Sequence, residues 1–539
     1  MSERNDRPRM GRKKEERTLS ERFSDRTRES YKKLIHNRIV YTFVVILIQI
    51  AWFELLILRL SAYSTAISVG LTLLSVAMIL YVINKDDNPA YTIGWVVLMA
   101  LVPLFGGLLY FLFGNKRPSK KMLRRMMDSH SYYRHILKPL PKREENIIKL
   151  DDRMEGLSHY VWGQSEFPIY PDTQTTYYPS GEEMFPAMLE AMRKAEHFIF
   201  LEYFIIDEGE MWDEMLSVIQ EKADAGVEIR IIYDDFGCVS RLAPDYDKWL
   251  ESLSPNIKCM AFNPLHASFS LVVNHRSHRK ILVCDGHTAF TGGINISDEY
   301  INRVNRFGYW KDTGVRLYGE GVWNFTVMFF ELWGAYHSKE VRPNSYRPHS
   351  YHPEPFTGAG FVQPFSDTPL DNEPLAHNIY LDIIAQAVDY VYIFTPYLII
   401  DYEMQSSLIR AAKRGVDVRI VTPEIPDKKL IYRLTRSNYL PLIEGGVKIY
   451  QFTPGFIHAK SILCDDRVAV VGSINMDYRS LFLHFECGVL MYDADCLGAL
   501  KDDVMQTIGK SRLIEAKDCA DSIFGRMLDA VLRLFSPLC

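Results

Sequence analysis

The 539-residue chain has eight cysteines, and they form neither a CxxC pair nor any zinc-type spacing. They are scattered at Cys238, Cys259, Cys284, Cys464, Cys487, Cys496, Cys519 and Cys539, which argues against a metal-binding or disulfide framework in a chain of this size. A basic excess is also missing. The formal net charge of -5 excludes a generally nucleic-acid-coating protein. No cleavable signal peptide is expected, because the first apolar run starts only at Ile39. Two long segments lack charge altogether, Ala62–Ile83 and Tyr91–Phe113, and a third, Ile39–Leu58, holds a single acid, Glu54. At 1.5 Å rise per helical residue, about 20 apolar residues cross a hydrocarbon layer of roughly 30 Å, so each stretch is a candidate span.

What is present divides the chain into six zones. Residues 1–38 form a polar tail with 13 Lys/Arg against 7 Asp/Glu, and 39–114 a membrane block of two to three transmembrane segments. A basic linker at 115–160 contains Lys116, Arg117, Lys120, Lys121, Arg124 and Arg125. Basic residues at both ends of the block favour an even number of crossings and a cytoplasmic catalytic part, with Ile39–Leu58 the weakest span. Two globular α/β units follow at 161–350 and 351–515. The tail at 516–539 carries a C-terminal amphipathic helix, expected to cap the core in preference to touching the membrane surface.

The globular region is an internal duplication. HRKILVCDGHTAFTGGIN at 278–295 returns as HAKSILCDDRVAVVGSIN at 458–475, an offset of 458 − 278 = 180. Upstream, Tyr203 matches Tyr397 and Gly226 matches Gly415; both tyrosines are read as packing residues. Two related units pack naturally about a pseudo-two-fold axis, which brings equivalent residues to one seam.

Each copy reads His-x-Lys, four residues, then Asp. In an extended strand alternate side chains share a face, so His278 projects with Lys280 and His458 with Lys460. Transfer of a phosphodiester needs a nucleophile, a proton donor and positive charge on the phosphoryl oxygens. The two histidines fill the first two roles, since imidazole exchanges protons near neutral pH. The lysines, with Asn295 and Asn475 as phosphate-binding amides, supply the third without a metal or other cofactor. Glu486 in HFECGV and Asp312 in YWKDTGV are candidates to orient the imidazoles. Asp285 and Asp465 are placed with the catalytic set, although a purely structural role in the motif turn is an equal reading. His266, His275, His287 and His484 have no repeated counterpart and are read as surface or supporting residues.

The doubled motif resembles the phospholipase D superfamily over about residues 165–510. With NPAYTIGWVVLMALVPLFGGLLYFLFG at 88–114, and its Trp95, Pro103, Gly106 and Tyr110, the whole chain resembles the bacterial cardiolipin synthases. That resemblance implies two duplicated phospholipase D-like α/β sandwich units behind N-terminal transmembrane helices, in a multi-pass protein of the cell membrane. It also implies a reaction in which two phosphatidylglycerols give cardiolipin and glycerol through a phosphohistidine, with His278 the nucleophile, and no nucleic-acid partner. Gly293 departs from the pattern, standing where Ser473 stands in the second copy, and is expected to weaken one phosphate contact. The alternatives are a membrane-bound phospholipase D that hydrolyses or transfers other phospholipids, a nuclease of the superfamily, and a noncatalytic membrane scaffold, which predicts decay of one motif.

Overall fold

The computed structural model describes isolated positions between 47 and 59, then residues 65–85, 88–114, 120–137, 150–264, 275–520, 522–534 and 536. The polar tail, most of the first apolar stretch and His266 lie outside the described residues.

Eight strands belong to the first unit: β1 Thr173–Tyr178, β2 Phe198–Tyr203, β3 Glu228–Asp234, β4 Ile257–Phe262, β5 Lys280–Cys284, β6 Thr288–Gly292, β7 Tyr309–Lys311 and β8 Gly314–Gly319. The second unit contributes β9 Phe361–Asp367, β10 Tyr390–Phe394, β11 Leu398–Ile399, β12 Asp417–Pro423, β13 Lys448–Phe452, β14 Gly455–Ile457, β15 Ser461–Cys464 and β16 Val468–Gly472. It ends with β17 Met476–Asp477, β18 Glu486–Tyr492 and β19 Ser511–Ile514. The first sheet runs β1-β8-β6-β5-β2-β3-β4, and the second runs β9-β18-β16-β15-β10-β12-β13-β19. Apart from β19 the two orders correspond strand for strand, so the duplication read from the motifs extends to the complete sheets.

The centre of each sheet follows from residue type. Phe198–Tyr203 reads FIFLEY and every residue in it is buried, as a strand covered on both faces requires. The helix Val322–Gly334 is likewise buried along its whole length and contributes to a core shared by both sheets, which includes Val283, Val315, Val471 and Val489. Strands β6 and β8 of the first sheet contact β16 of the second. The outer faces are covered by helices such as Gly181–Lys194, capped where Ser180 Oγ accepts from Glu183 N at 3.3 Å, and Tyr402–Lys413, capped by Asp401. The segment expected as a basic linker carries the helix Lys120–Arg134 and the start of a second, Asp152–Ser165, which runs on into the first unit. The first docks on the buried helix through Ser129 Oγ, which donates to Glu331 O at 2.7 Å.

In the apolar block the stretch Tyr91–Phe113 is not a single rod. It forms two helices, Pro89–Leu101 and Pro103–Phe113, parted at Val102 (φ -137°, ψ 78°), where Pro103 cannot continue the upstream hydrogen-bond ladder. The second helix folds back on the first: Tyr91 Oη donates to Gly114 O at 3.0 Å, and Trp95 meets Tyr110 edge-on at 5.3 Å. Gly106 permits the turn, since a Cβ there would lie 2.7 Å from Leu98 O. Among the described residues no helix is long and apolar enough to cross a membrane; the longest apolar one, Thr65–Ile83, rises about 28 Å. The C-terminal helix Ile523–Leu534 has no fully buried residue; it meets the core through Leu532, against the small cluster of Ile399, Leu434 and Tyr478, a narrower contact than the expected cap.

Candidate active site

The two motif histidines meet at the seam, each held by the opposite unit. The register equates Gly292–Gly314 in the first sheet with Gly472–Gly488 in the second, so Asp312 and Glu486 occupy the same position of the repeat. Their allegiance is exchanged. His278 of the first unit places Nδ1 2.9 Å from Glu486 Oε1, and His458 of the second places Nδ1 2.7 Å from Asp312 Oδ2. The backbone repeats the exchange: His278 N donates to Phe485 O at 2.9 Å, and His458 N to Lys311 O at 2.7 Å. The segment β14 pairs with β7 in parallel, and Ser277 bridges Phe485 in the same sense. Because an ionised carboxylate only accepts, the Nδ1 proton of each imidazole is assigned to the acid and Nε2 is left free.

Strand alternation positions the lysines. Lys280 Nζ donates to His278 O and Lys460 Nζ to His458 O, and Lys460 Nζ also lies 2.8 Å from His458 Nδ1. Arg279, between His278 and Lys280, points the other way and donates to Ser366 Oγ at 2.7 Å. All the charged groups are buried, and burial sets their titration. Desolvation first, then the charges of Lys280 and Lys460, hold both imidazoles well below their usual value. Burial lowers Lys280 to about 8 and Lys460 to about 7, and it raises Asp312 to about 6 and Glu486 above the ordinary carboxylate value. The two lysines and the two acids balance in charge around neutral imidazoles, and burial shifts each of them toward its neutral form.

Asp285 and Asp465 lie apart from the histidines and lysines, in an arrangement that suits the structural one of the two equal readings. Asp285 follows β5 at the end opposite His278 and accepts from Glu196 N, His197 N and Phe198 N at 2.8–2.9 Å. Asp465 does the same with Val388 N, Asp389 N and Tyr390 N at 2.7–2.9 Å. Each anchors the motif strand to the start of its neighbour. Asp285→Asn is therefore expected to lower stability by about 2–3 kcal/mol, since one amide group faces donors that need a carboxylate. The φ of 49° at Asp285 suits Asn as well as Asp, so the backbone is undisturbed. Thermal unfolding with activity per folded molecule checks this: a kcat loss at unchanged Tm would return Asp285 to the catalytic set.

Asn295 is a structural tie as it stands, with Oδ1 accepting from Ile205 N at 3.1 Å and Nδ2 donating to Tyr300 Oη at 2.8 Å. Asn475 is buried beside Asp477, toward which its side chain hydrogen-bonds. The Ser473 hydroxyl donates to Glu486 rather than standing free for phosphate. Its absence at Gly293 has a steric reason, because an added Cβ would collide with Asp312 Oδ1 and crowd His458 O. The shorter acid needs the glycine; the longer one is steadied by the serine.

Around the histidines, Tyr300, Trp310, Phe456 and Phe204 were not read from the sequence, whereas His484 was read as a surface or supporting residue. His458 is enclosed by Tyr300, Trp310 and Phe456, with ring centroids at 5.4, 5.4 and 5.9 Å, and His278 faces Phe204 at 5.0 Å and His484 at 5.7 Å. His484 occupies the repeat position of Trp310, two residues before the acid. Counting back from Glu486 and Asp312 finds it, whereas a search for identical residues does not. Among the described residues, His278, His484 and Glu486 bring ligating atoms within 4.8 Å of one another, as do His377, Asp401 and Glu403. In the first trio the carboxylate already serves His278 and Ser473 beside two lysines, so its arrangement suits imidazole orientation better than a cation.

The cardiolipin synthase, phospholipase D-like domain family matches residues 188–306 and 380–507, and the phospholipase D-nuclease N-terminal family matches 73–115. An uncharacterized protein of Streptococcus mutans is 43% identical over 86% of this chain and 100% of its own length. A cardiolipin synthase of Halalkalibacterium halodurans is 30% identical over 88% of this chain and 94% of its own. Among solved structures, the phosphatidylserine synthase of Haemophilus influenzae covers 72% of this chain and 97% of that one, with a TM-score of 0.55 at 16% identity, a likeness of fold.

Proposed function

Because this chain belongs to the bacterial cardiolipin synthase family, we propose that it joins two phosphatidylglycerol molecules into cardiolipin and releases glycerol. The observation that carries this reading is the reciprocal pairing of His278 with Glu486 and His458 with Asp312, which fixes both imidazoles through Nδ1 in one buried site with two lysines. In the family's order, His278 Nε2 attacks phosphorus while the bond to the glycerol headgroup oxygen breaks and His458 gives that oxygen a proton. The phosphatidyl group is then on nitrogen. A hydroxyl of the second phosphatidylglycerol attacks phosphorus, passes its proton to His458 and releases His278. Lys280 and Lys460 stabilise the equatorial oxygens. The phosphodiester anion adds negative charge beside the lysines and imidazoles, which favours the protonated imidazole needed for the first step.

The membrane setting belongs to the same proposal. The fold-back that returns Gly114 beside Tyr91 supports a re-entrant third segment. Two crossings upstream then leave both basic flanks, and the catalytic units, on the cytoplasmic side of a membrane-integral protein, where anionic phospholipids are its partners.

Purified protein incubated with phosphatidylglycerol in vesicles should yield cardiolipin and glycerol in equal amounts; phosphatidic acid without cardiolipin would replace synthesis by hydrolysis. The lysines predict a pH dependence. Both carry charge below their pKa and lose it above, so kcat/KM, which reports the free enzyme, should fall on an alkaline limb with midpoint between about 7 and about 8. Lys460→Arg should move that limb upward, because a guanidinium stays charged. A limb that stays where it was in the arginine variant rules out this assignment.

A further inference from the structure

The C-terminal helix Ile523–Leu534 touches the protein by one narrow stripe. Gly525, Asp529 and Leu532 recur at helical spacing and face inward: Arg433 donates to Asp529 Oδ1 at 2.7 Å and to Gly525 O at 2.9 Å, and Leu532 packs on the cluster of Ile399, Leu434 and Tyr478. The opposite face is apolar and open to solvent, with Ile523, Phe524, Met527 and Val531 exposed by 68, 84, 62 and 51%. Arg526 and Arg533 lie along its border, also exposed. A helix built to pack on a protein core presents its apolar face inward; here it faces outward.

Two further observations choose the occupant. The open face continues onto the apolar block: a Cβ at Gly94 would approach Leu534 O to 2.6 Å, and the helices beside it expose Leu73, Leu80 and Leu101. The contact stripe also leads to the active site. Tyr397, packed on the cluster that holds Leu532, donates to Asp427 at 2.6 Å with Lys428 Nζ 5.5 Å from its ring centroid, and the charge of Lys428 acts on His458.

We propose that Ile523–Leu534 lies in the headgroup plane of an anionic bilayer through Ile523, Phe524, Met527 and Val531, and so sets the mouth at His458 against the lipid surface. The apolar face supplies burial and Arg526 attracts anionic headgroups, while Arg533 donates to Ser437 and ties the helix to the protein. This rests on the phosphatidylglycerol reading above, whose own failure would show as no cardiolipin from the unaltered protein.

The full-length protein carrying Phe524→p-benzoylphenylalanine, placed in vesicles of phosphatidylglycerol and phosphatidylcholine, should give lipid adducts on irradiation. Cross-linked copies of the chain, or no lipid adduct, would overturn the proposal. Phe524→Glu with Met527→Glu should slow cardiolipin formation on vesicles by about tenfold or more, while short-chain phosphatidylglycerol in detergent is converted at the normal rate. Equal rates on vesicles, or equal losses in both media, would count against it.

Discussion

His278→Ala and His458→Ala are each expected to reduce cardiolipin formation by roughly a thousandfold to ten-thousandfold, with thermal stability little changed. The size of the effect follows from the absence of a substitute. Nε2 of each ring is the free nitrogen of an imidazole locked by its acid, and the neighbouring bases are lysines already donating to backbone carbonyls. His484 stands beside His278, but its Nδ1 is 3.9 Å from Glu486, so it lacks the carboxylate hydrogen bond that orients the motif histidines. The two variants should differ in kind. Loss of the nucleophile removes the phosphatidyl-enzyme altogether, whereas loss of the proton carrier slows its formation and turnover. Rapid quenching with labelled phosphatidylglycerol separates them: label on protein in His458→Ala and none in His278→Ala agrees with His278 as nucleophile. Substantial turnover in either variant would end the shared-site reading.

The second large effect tests the exchange of acids between units. Glu486→Gln should lower kcat by about a hundredfold to ten-thousandfold, because an amide holds the imidazole in the wrong tautomer or leaves it unheld. Asp312→Asn should do the same to the other ring. The pattern matters more than the size. Glu486 belongs to the second unit yet serves His278 of the first, so Glu486→Gln should reproduce the labelling behaviour of His278→Ala and not that of His458→Ala. Asp312→Asn should follow His458→Ala. Labelling that grouped each acid with the histidine of its own unit would contradict the geometry. Gly293→Ser offers a control on the asymmetry, since its Cβ collides with Asp312 and should disturb His458 alone.

The duplication was legible because both copies of a folded unit must satisfy the same local physics: a strand that starts just past the histidine, a glycine pair where the next two strands meet, and an acid two residues before the second glycine. The likeness of HFECGV to YWKDTGV reached Glu486 and Asp312. It did not reach their exchange, because partner choice depends on how two sheets are placed, not on distance along the chain. Nor did it separate the aspartates from the histidines: four intervening residues look short in sequence but span the length of β5, and the carboxylate lands on the backbone of β2. The serine at 473 looked like a phosphate ligand for a similar reason, since its hydroxyl's partner comes from thirteen residues downstream.

The apolar block divides in the same way. Absence of charge marked the apolar stretches, with Ile39–Leu58 read as the weakest span. Only packing showed that the third stretch reverses at Pro103, closed by Tyr91 on Gly114. At the other end, the spacing of apolar residues from Ile523 to Leu534 foretold an amphipathic helix, but amphipathicity has no sign. Which face meets the protein was decided by Arg433 gripping Asp529 and by Leu532 entering a small cluster, which turned Phe524 outward. Thus the residues alone determined the chemistry, two histidines and two lysines in a doubled strand motif. The tertiary structure decided which acid serves which histidine and which face of the last helix stays exposed, because those depend on contacts between segments that the chain holds far apart.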